Sequence, residues 1–449
     1  RGTWGSRSGF ILAAAGSAVG LGNIWGFPTQ VGQGGGAAFV LVYLACVFLI
    51  CAPILIAEIA IGRCARQSPV GSFATLMPNS AWWLVGSLGV LTGAGILSFY
   101  SVIAGWTLAY IWFTASGVFV ESSDTTSEFF ARFTANGPLG MSLTLVVLST
   151  TAFVLIGGVR SGIERVTKTL MPALLVLLIV LAVRSATLPG AATGLAYYLS
   201  ADLTRILDIN VFNAALGQAF FSLSLGMGAM ITYGSYLNRS DGIAMSTIWI
   251  VVLDTTIALL AGFIIFPVGF SLEGFDPGAS GPGLIFTVLP SLFATLPGGH
   301  LFGAAFFLLL SMAALTSTIS LLEVPVAHCV DVRGWSRPKA VILVTGGVFV
   351  LAIPSTLGNG AVDALTLMPG IRLDFLTLMA TIWNNFALPI GGLLTALFVG
   401  WVWQVDRALD ELCANGAWFP APRIWGILIR WVCPIAIASI IVATVMSML

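Results

Sequence analysis

Two long apolar stretches of this chain break in their middle into small, flexible residues. The first break is Ser17-Ala18-Val19-Gly20-Leu21-Gly22-Asn23, and the second, about 200 residues later, is Ser224-Leu225-Gly226-Met227-Gly228. In hydrocarbon each peptide N–H and C=O needs a partner, because an unpaired one costs several kcal/mol. Unwound backbone is therefore tolerated at membrane depth only where it is buried in protein or lines a polar cavity. A matched pair of breaks in corresponding positions of two halves points to a carrier with its substrate site at the midplane.

Composition places these stretches in a bilayer. The chain is 58% apolar and 8% charged, against roughly a quarter charged in soluble domains, and its mean hydropathy is +1.02. Runs long enough to cross roughly 30 Å of hydrocarbon fall near 9–32, 37–62, 81–114, 138–157, 166–186, 209–237, 243–271, 299–330, 338–357, 366–402 and 424–449. The expectation is an all-α polytopic membrane protein with eleven transmembrane helices. The runs do not alternate with period two, which excludes a transmembrane β-barrel.

Lys and Arg are unevenly spread over these spans. Fourteen (Arg1, Arg7, Arg63, Arg66, Arg160, Arg165, Lys168, Arg239, Arg333, Arg337, Lys339, Arg407, Arg423 and Arg430) fall on one side and four (Arg132, Arg184, Arg205 and Arg372) on the other. The positive-inside rule then puts the N-terminus in the cytoplasm and the C-terminus outside. Zero net charge and the lack of a basic tail give no footing for nucleic acid. Cys46, Cys51, Cys64, Cys329, Cys413 and Cys433 are scattered without metal-ligand spacing and read as small hydrophobes or free thiols. His300 and His328 are isolated, so neither a metal site nor general-base catalysis is indicated. The outer segment 115–137 carries no glycosylation sequon, which suits a bacterial inner (plasma) membrane. Prolines 277, 282, 290 and 297 punctuate 272–298, which reads as a re-entrant or capping outer loop with a short helix.

Three carboxylates sit inside spans: Glu58, Asp254 and Glu323; Asp374 lies near the outer end of another. Such acids are costly in hydrocarbon and face the bundle interior. For Glu58 the favoured reading is a brace for unwound backbone, and for Asp254 it is ion binding. Glu323 stays open. Ala313, Thr316 and Ser317 stand at i, i+3 and i+4, so a carbonyl and two hydroxyls share one helix face. Asn23 and Ser222 offer side-chain oxygen beside the two breaks. Hard oxygen ligands suit an alkali cation, and the half-helix N-termini favour a substrate carboxylate. Together they describe a cation-coupled carrier of amino acids.

At these residues the chain resembles the bacterial neurotransmitter:sodium symporters, the family of the leucine-transporter-like fold. The likeness runs from Arg1 and Trp4 through Gly16-Ser17-Ala18-Val19-Gly20-Leu21-Gly22-Asn23-Ile24-Trp25, Gly34-Gly35-Gly36, Gly217-Gln218, Ser224-Leu225-Gly226-Met227-Gly228-Ala229 and Leu315-Thr316-Ser317 to Asp331. It implies a 5+5 inverted repeat with broken helices 1 and 6 in a single domain spanning 1–449. Repeat one would cover about 9–186, repeat two about 209–402, and an additional helix about 424–449.

The resemblance also implies two sodium ions. Site one would use Ala18, Asn23, Ser222, Asp254 and the substrate carboxylate. Site two would use Gly16, Val19, Ala313, Thr316 and Ser317. Tyr100, Leu21 and Gly22 would hold the substrate carboxylate, and the carbonyls of Ala18, Phe221 and Ser224 its amine. Ile96, Phe221, Met227, Ser317 and Leu321 would line an apolar side-chain pocket, with Ser222 beside it. The inner gate would be Arg1 with Asp331, supported by Trp4 and Tyr236; the outer gate would involve Phe221 and Asp374.

Three departures matter. Asp254 stands where site one usually has Asn. Ala258 stands where chloride-dependent relatives have Ser, although Tyr43, Gln218 and Ser222 keep the rest of that pattern, so chloride is not expected to be required. Gly26 replaces the outer-gate Arg, leaving Arg372 as a neighbour for Asp374. Relatives that carry monoamines place Asp where this chain has Gly20, which favours a substrate with its own carboxylate.

The expected function is sodium-coupled symport of hydrophobic or aromatic L-amino acids by alternating access, in a monomer or weak homodimer. Spans 1, 2, 6 and 7 would rock against a scaffold of spans 3, 4, 8 and 9. Two alternatives remain: a sodium symporter for a small zwitterion such as taurine, betaine or a small polar amino acid, and a proton-coupled carrier using Asp254.

Overall fold

The computed structural model describes residues 2–121, 125–200, 202–271, 275–278 and 284–446. Among the described residues, nine helices are long and apolar enough to cross a membrane, and a tenth span is a bent pair. That pair is α1 (Arg7–Ala18) and α2 (Gly22–Gly34), whose axes turn by 52° across the break. Ser6 starts α1 by accepting from the Gly9 N–H at 3.1 Å. Val19 ends it in an extended conformation, φ −74° and ψ 110°.

The nine are α3 (Ala37–Ala65), α4 (Trp83–Ala115), α5 (Gly137–Ile156), α6 (Val159–Ser185), α9 (Ile243–Gly269), α10 (Gly299–Arg333), α11 (Arg337–Leu357), α12 (Phe375–Val402) and α13 (Pro422–Met446). The segment expected as an eleventh span, 209–237, divides into α7 (Ile209–Ser222) and α8 (Ala229–Gly234). Its connection takes φ of +54° at Ser224, +78° at Gly226 and +74° at Gly228. Three left-handed residues so close together stop an α-helix, so 209–237 is a span broken where the sequence places its second run of small residues.

The two longest helices, α4 and α10, pack along each other at the centre. Both are apolar on every side, as a helix enclosed by other helices should be. By contrast, α5, α6 and α13 bury only a third of their most apolar windows and form the lipid-facing rim. Glycines let the broken segments approach their neighbours: a Cβ on Gly62 of α3 would collide with the Ile231 carbonyl of α8. Over the outer end, part of the expected capping loop is seen as the short helix Leu289–Thr295; residues 272–274 and 279–283, including Pro282, lie outside the described residues.

Gly226 is the tightest point of the second break, since its φ is +78° and a Cβ there would run into the Leu388 carbonyl. Gly226→Ala is expected to lower the thermal midpoint in detergent by several degrees. Gly346→Ala on α11, where a Cβ meets nothing within 4 Å, should leave it within about 2 °C.

Candidate functional site

The two breaks lie against each other. The Ser224 hydroxyl donates to the Ser17 carbonyl at 2.9 Å, and the Ser17 hydroxyl lies 2.7 Å from that of Ser320 on α10. Several backbone groups freed by the unwinding are met by buried side chains. Asn23 Oδ1 accepts from Gly20 N–H at 3.0 Å, and Tyr100 Oη accepts from Leu21 N–H at 3.0 Å. Gln218 Nε2 donates to the Gly22 carbonyl at 2.8 Å. Glu58 Oε1 accepts from Gly226 N–H at 2.7 Å, so Glu58 is the brace that its position in α3 predicted.

Between the breaks lies a small cavity. Ala18, Gly22, Ile96, Tyr100, Phe221, Ser222, Ser224, Met227, Ser317 and Leu321 all line it, and Leu21 flanks it through its bond to Tyr100. Tyr100 already accepts from Leu21, which leaves its O–H to donate. A Cβ on Gly20 would stand 2.6 Å from Ser317 Oγ and 2.8 Å from Tyr100 Oη. The bare α-carbon therefore keeps open the polar end of the cavity, between two hydroxyls and the freed amides. The Phe221 ring lies over Gly22, whose Cβ would come within 2.7 Å of it. Gly22, Tyr100 and Phe221 also border an outer vestibule of about 970 Å³. Phe221 and Tyr100 thus form the partition between the two spaces.

Beside the cavity, Asn23, Ser222 and Asp254 converge from three helices. Asn23 Nδ2 donates to Asp254 Oδ1 at 2.7 Å and to Ser222 Oγ at 2.9 Å. Ser222 Oγ lies 3.0 and 2.9 Å from the two Asp254 oxygens. Asp254 is fully buried, and no Arg, Lys or His among the described residues pairs with it. A buried carboxylate with only neutral donors around it is strongly destabilising unless a cation or a proton joins it.

The second cluster forms where α10 passes the first break. Ser317 Oγ lies 3.2 Å from the Val19 carbonyl, and Thr316 Oγ1 lies 2.9 Å from the Ala313 carbonyl and 3.5 Å from that of Val19. Gly16 packs directly on Thr316, its Cβ position 3.3 Å from Thr316 Cβ. Four uncharged oxygens from two chain segments therefore lie close together.

At the end carrying Trp4, the molecule is closed. Trp4 is buried; its Nε1 donates to the Tyr233 carbonyl at 3.0 Å and its N–H to the Tyr236 carbonyl at 3.2 Å. Asp331 Oδ2 accepts from Ser68 N–H at 2.8 Å, while Arg1, its expected partner, lies outside the described residues. A second closure escaped the sequence reading. The Tyr236 hydroxyl donates to Glu323 Oε1 at 2.6 Å, and Arg337 grips both Glu323 oxygens at 3.0 and 2.6 Å. Arg337 Nε also donates to the Leu155 carbonyl at 2.7 Å. The detectable signal was an acid in an apolar helix that ends in a tight turn, followed at once by a basic residue on the returning helix.

At the opposite end, Asp374 caps the start of α12. Its oxygens accept from Thr377 N–H at 2.8 Å and Thr377 Oγ1 at 2.7 Å. Among the described residues it forms no ion pair with Arg372, so Arg372 does not substitute for the missing Arg. At Gly26 a Cβ would meet the carboxamide oxygen of Gln218 at 3.0 Å. Asn384 and Asn385 of α12 complete this wall of the vestibule, so uncharged amides stand where an ion pair was sought.

Comparison with known proteins agrees with this arrangement. The family model described as Sodium:neurotransmitter symporter family matches residues 1–127 and 123–449. The sodium-dependent transporter YhdH of Bacillus subtilis is 38% identical over 441 residues, covering 97% of this chain and 95% of that protein. A sodium-dependent transporter of Haemophilus influenzae is 34% identical over 455 residues, covering 99% and 98%. Among solved structures, MhsT in complex with L-phenylalanine superposes with a TM-score of 0.90 at 44% identity, over 99% of this chain and 100% of that one.

Removing one partner of the Glu323–Arg337 pair leaves a buried charge alone. Arg337→Gln is expected to cost about 3–5 kcal/mol of the closed arrangement, and adding Glu323→Gln should recover much of it. Thermal unfolding of the single and double variants measures both.

Proposed function

The chain belongs to the sodium:neurotransmitter symporter family, and on that premise we propose that it imports an amino acid with a hydrophobic or aromatic side chain, coupled to two sodium ions. The observation that carries this reading is the uncompensated Asp254 carboxylate beside a cavity lined by residues of both breaks. A sodium ion there would be held by Asp254, Ser222, Asn23 and the Ala18 carbonyl, and completed by the substrate carboxylate. The second ion would take the carbonyls of Gly16, Val19 and Ala313 with the Thr316 and Ser317 hydroxyls. The chain's own part is to hold these oxygens in place and to keep water from them; sodium supplies the positive charge.

The substrate carboxylate would sit at Gly20, within reach of the Tyr100 hydroxyl and the amide of Gly22. Ile96, Phe221, Met227 and Leu321 would take its side chain, with Met227 adapting to shape. MhsT, solved with L-phenylalanine, supports an aromatic substrate at this level of identity. The fixed anion at Asp254 supports chloride independence.

Alternating access follows from the two partitions. Phe221 and Tyr100 close the vestibule side; Trp4, Tyr236, Glu323 and Arg337 close the other, which the distribution of Arg and Lys places in the cytoplasm of a bacterium. Opening inward requires the Trp4 and Tyr236 contacts to break, and sodium to leave Thr316 and Ser317. Two sodium charges moving through 100 mV contribute roughly 4.6 kcal/mol. That sustains a gradient of over three decades at about 1.4 kcal/mol per tenfold.

Thermal stabilisation of the purified protein by L-phenylalanine is expected in sodium and not in choline, and should be unchanged when gluconate replaces chloride. Stabilisation by taurine or betaine alone would overturn the substrate assignment. The combined variant Thr316→Val, Ser317→Ala should weaken sodium-dependent stabilisation at least tenfold in sodium concentration, as expected for losing two of five ligands at about 1 kcal/mol or more each.

A further inference from the structure

The end that carries Trp4 has a second recess, apart from the transport cavity. Gly5, Arg160, Ser161, Glu164, Arg165 and Lys168 surround an open space of about 670 Å³. Arg160, Ser161 and Glu164 lie on the π-wound first turns of α6, Val159–Glu164, with Arg165 and Lys168 on the next. The opposite wall is the N-terminal segment, where a Cβ on Gly5 would stand 2.8 Å from Arg160 Nε.

Charge in this recess is unbalanced. Its single acid, Glu164, is fully engaged: its oxygens accept from Gly5 N–H at 2.6 Å, Ser6 Oγ at 2.9 Å and Lys168 Nζ at 2.6 Å. Arg160 and Arg165 are exposed, and neither has an ion-pair or hydrogen-bond partner among the described residues. Two guanidinium forks, an ammonium and the Ser161 hydroxyl thus border one space with no anion left to answer them. Guanidinium groups match phosphate oxygens two at a time. The recess opens at the end of a helix that turns Val176, Ile179, Val180 and Val183 outward, at the face where Arg and Lys collect. Basic pockets in that position suit anionic head groups.

We propose that this recess binds a phosphate group, carried by the head group of an anionic phospholipid or present as free phosphate. The site needs Gly5 against Arg160, so its ligand binds the arrangement in which the N-terminal segment is docked, and stabilises it.

The test uses the full chain in phosphatidylcholine nanodiscs, following thermal unfolding as phosphatidylglycerol is raised, and separately as inorganic phosphate is added. Wild type should be stabilised by phosphatidylglycerol. Arg160→Gln with Arg165→Gln should need at least tenfold more of it, at about fivefold per lost cation. Arg160→Lys with Arg165→Lys should retain part of the response, and Arg407→Gln with Arg423→Gln, an equal charge loss elsewhere on the same face, should retain all of it. Stabilisation by inorganic phosphate alone, lost in the same glutamine variant, would support the site and assign it to the free anion. An undiminished lipid response in that variant, or no response to either phosphate source in wild type, would overturn the proposal. None of these readouts depends on the transported substrate.

Discussion

The structure depends on satisfying backbone inside a bilayer where two helices stop being helices. Each break releases amides and carbonyls that lipid cannot accept. The chain answers with side chains placed far away in sequence: Tyr100 for Leu21, Gln218 for Gly22 and Glu58 for Gly226. Three helices, α3, α4 and α7, are thereby drawn against the breaks. The polar site follows from the need to bury the breaks, and the breaks provide the polarity that the site uses.

Glu58, Asp254 and Glu323 show how context sets role. Glu323 has a full counter-charge in Arg337 and a donor in Tyr236, so it works as part of a closure. Glu58 is committed through one oxygen to a peptide N–H at the second break. Asp254 has only an amide and a hydroxyl for company, and this incomplete compensation is what the proposed sodium ion would complete. A carboxylate in hydrocarbon thus serves as latch or as brace, according to what faces it.

Much of this was legible in the sequence because the signals are local. The breaks at 17–23 and 224–228, the Thr316–Ser317 step on one helix face and the intramembrane acids can all be read without knowing any contact. Asn23, Ser222 and Asp254 were assembled only through the family resemblance, yet they meet as that resemblance implied. What escaped depends on how helices are set against one another. The Glu323–Arg337 pair requires knowing that α10 and α11 return side by side. The replacement of an outer ion pair by Gln218, Asn384 and Asn385 depends on a facing wall, while Asp374 turned inward to its own helix.

The most direct test of the central claim is uptake of radiolabelled L-phenylalanine into proteoliposomes under an imposed inward sodium gradient. The account predicts accumulation above the external concentration that collapses when sodium is equal on both sides and is absent in choline. Accumulation that persists in choline under a proton gradient, or mere equilibration at any sodium gradient, would contradict it.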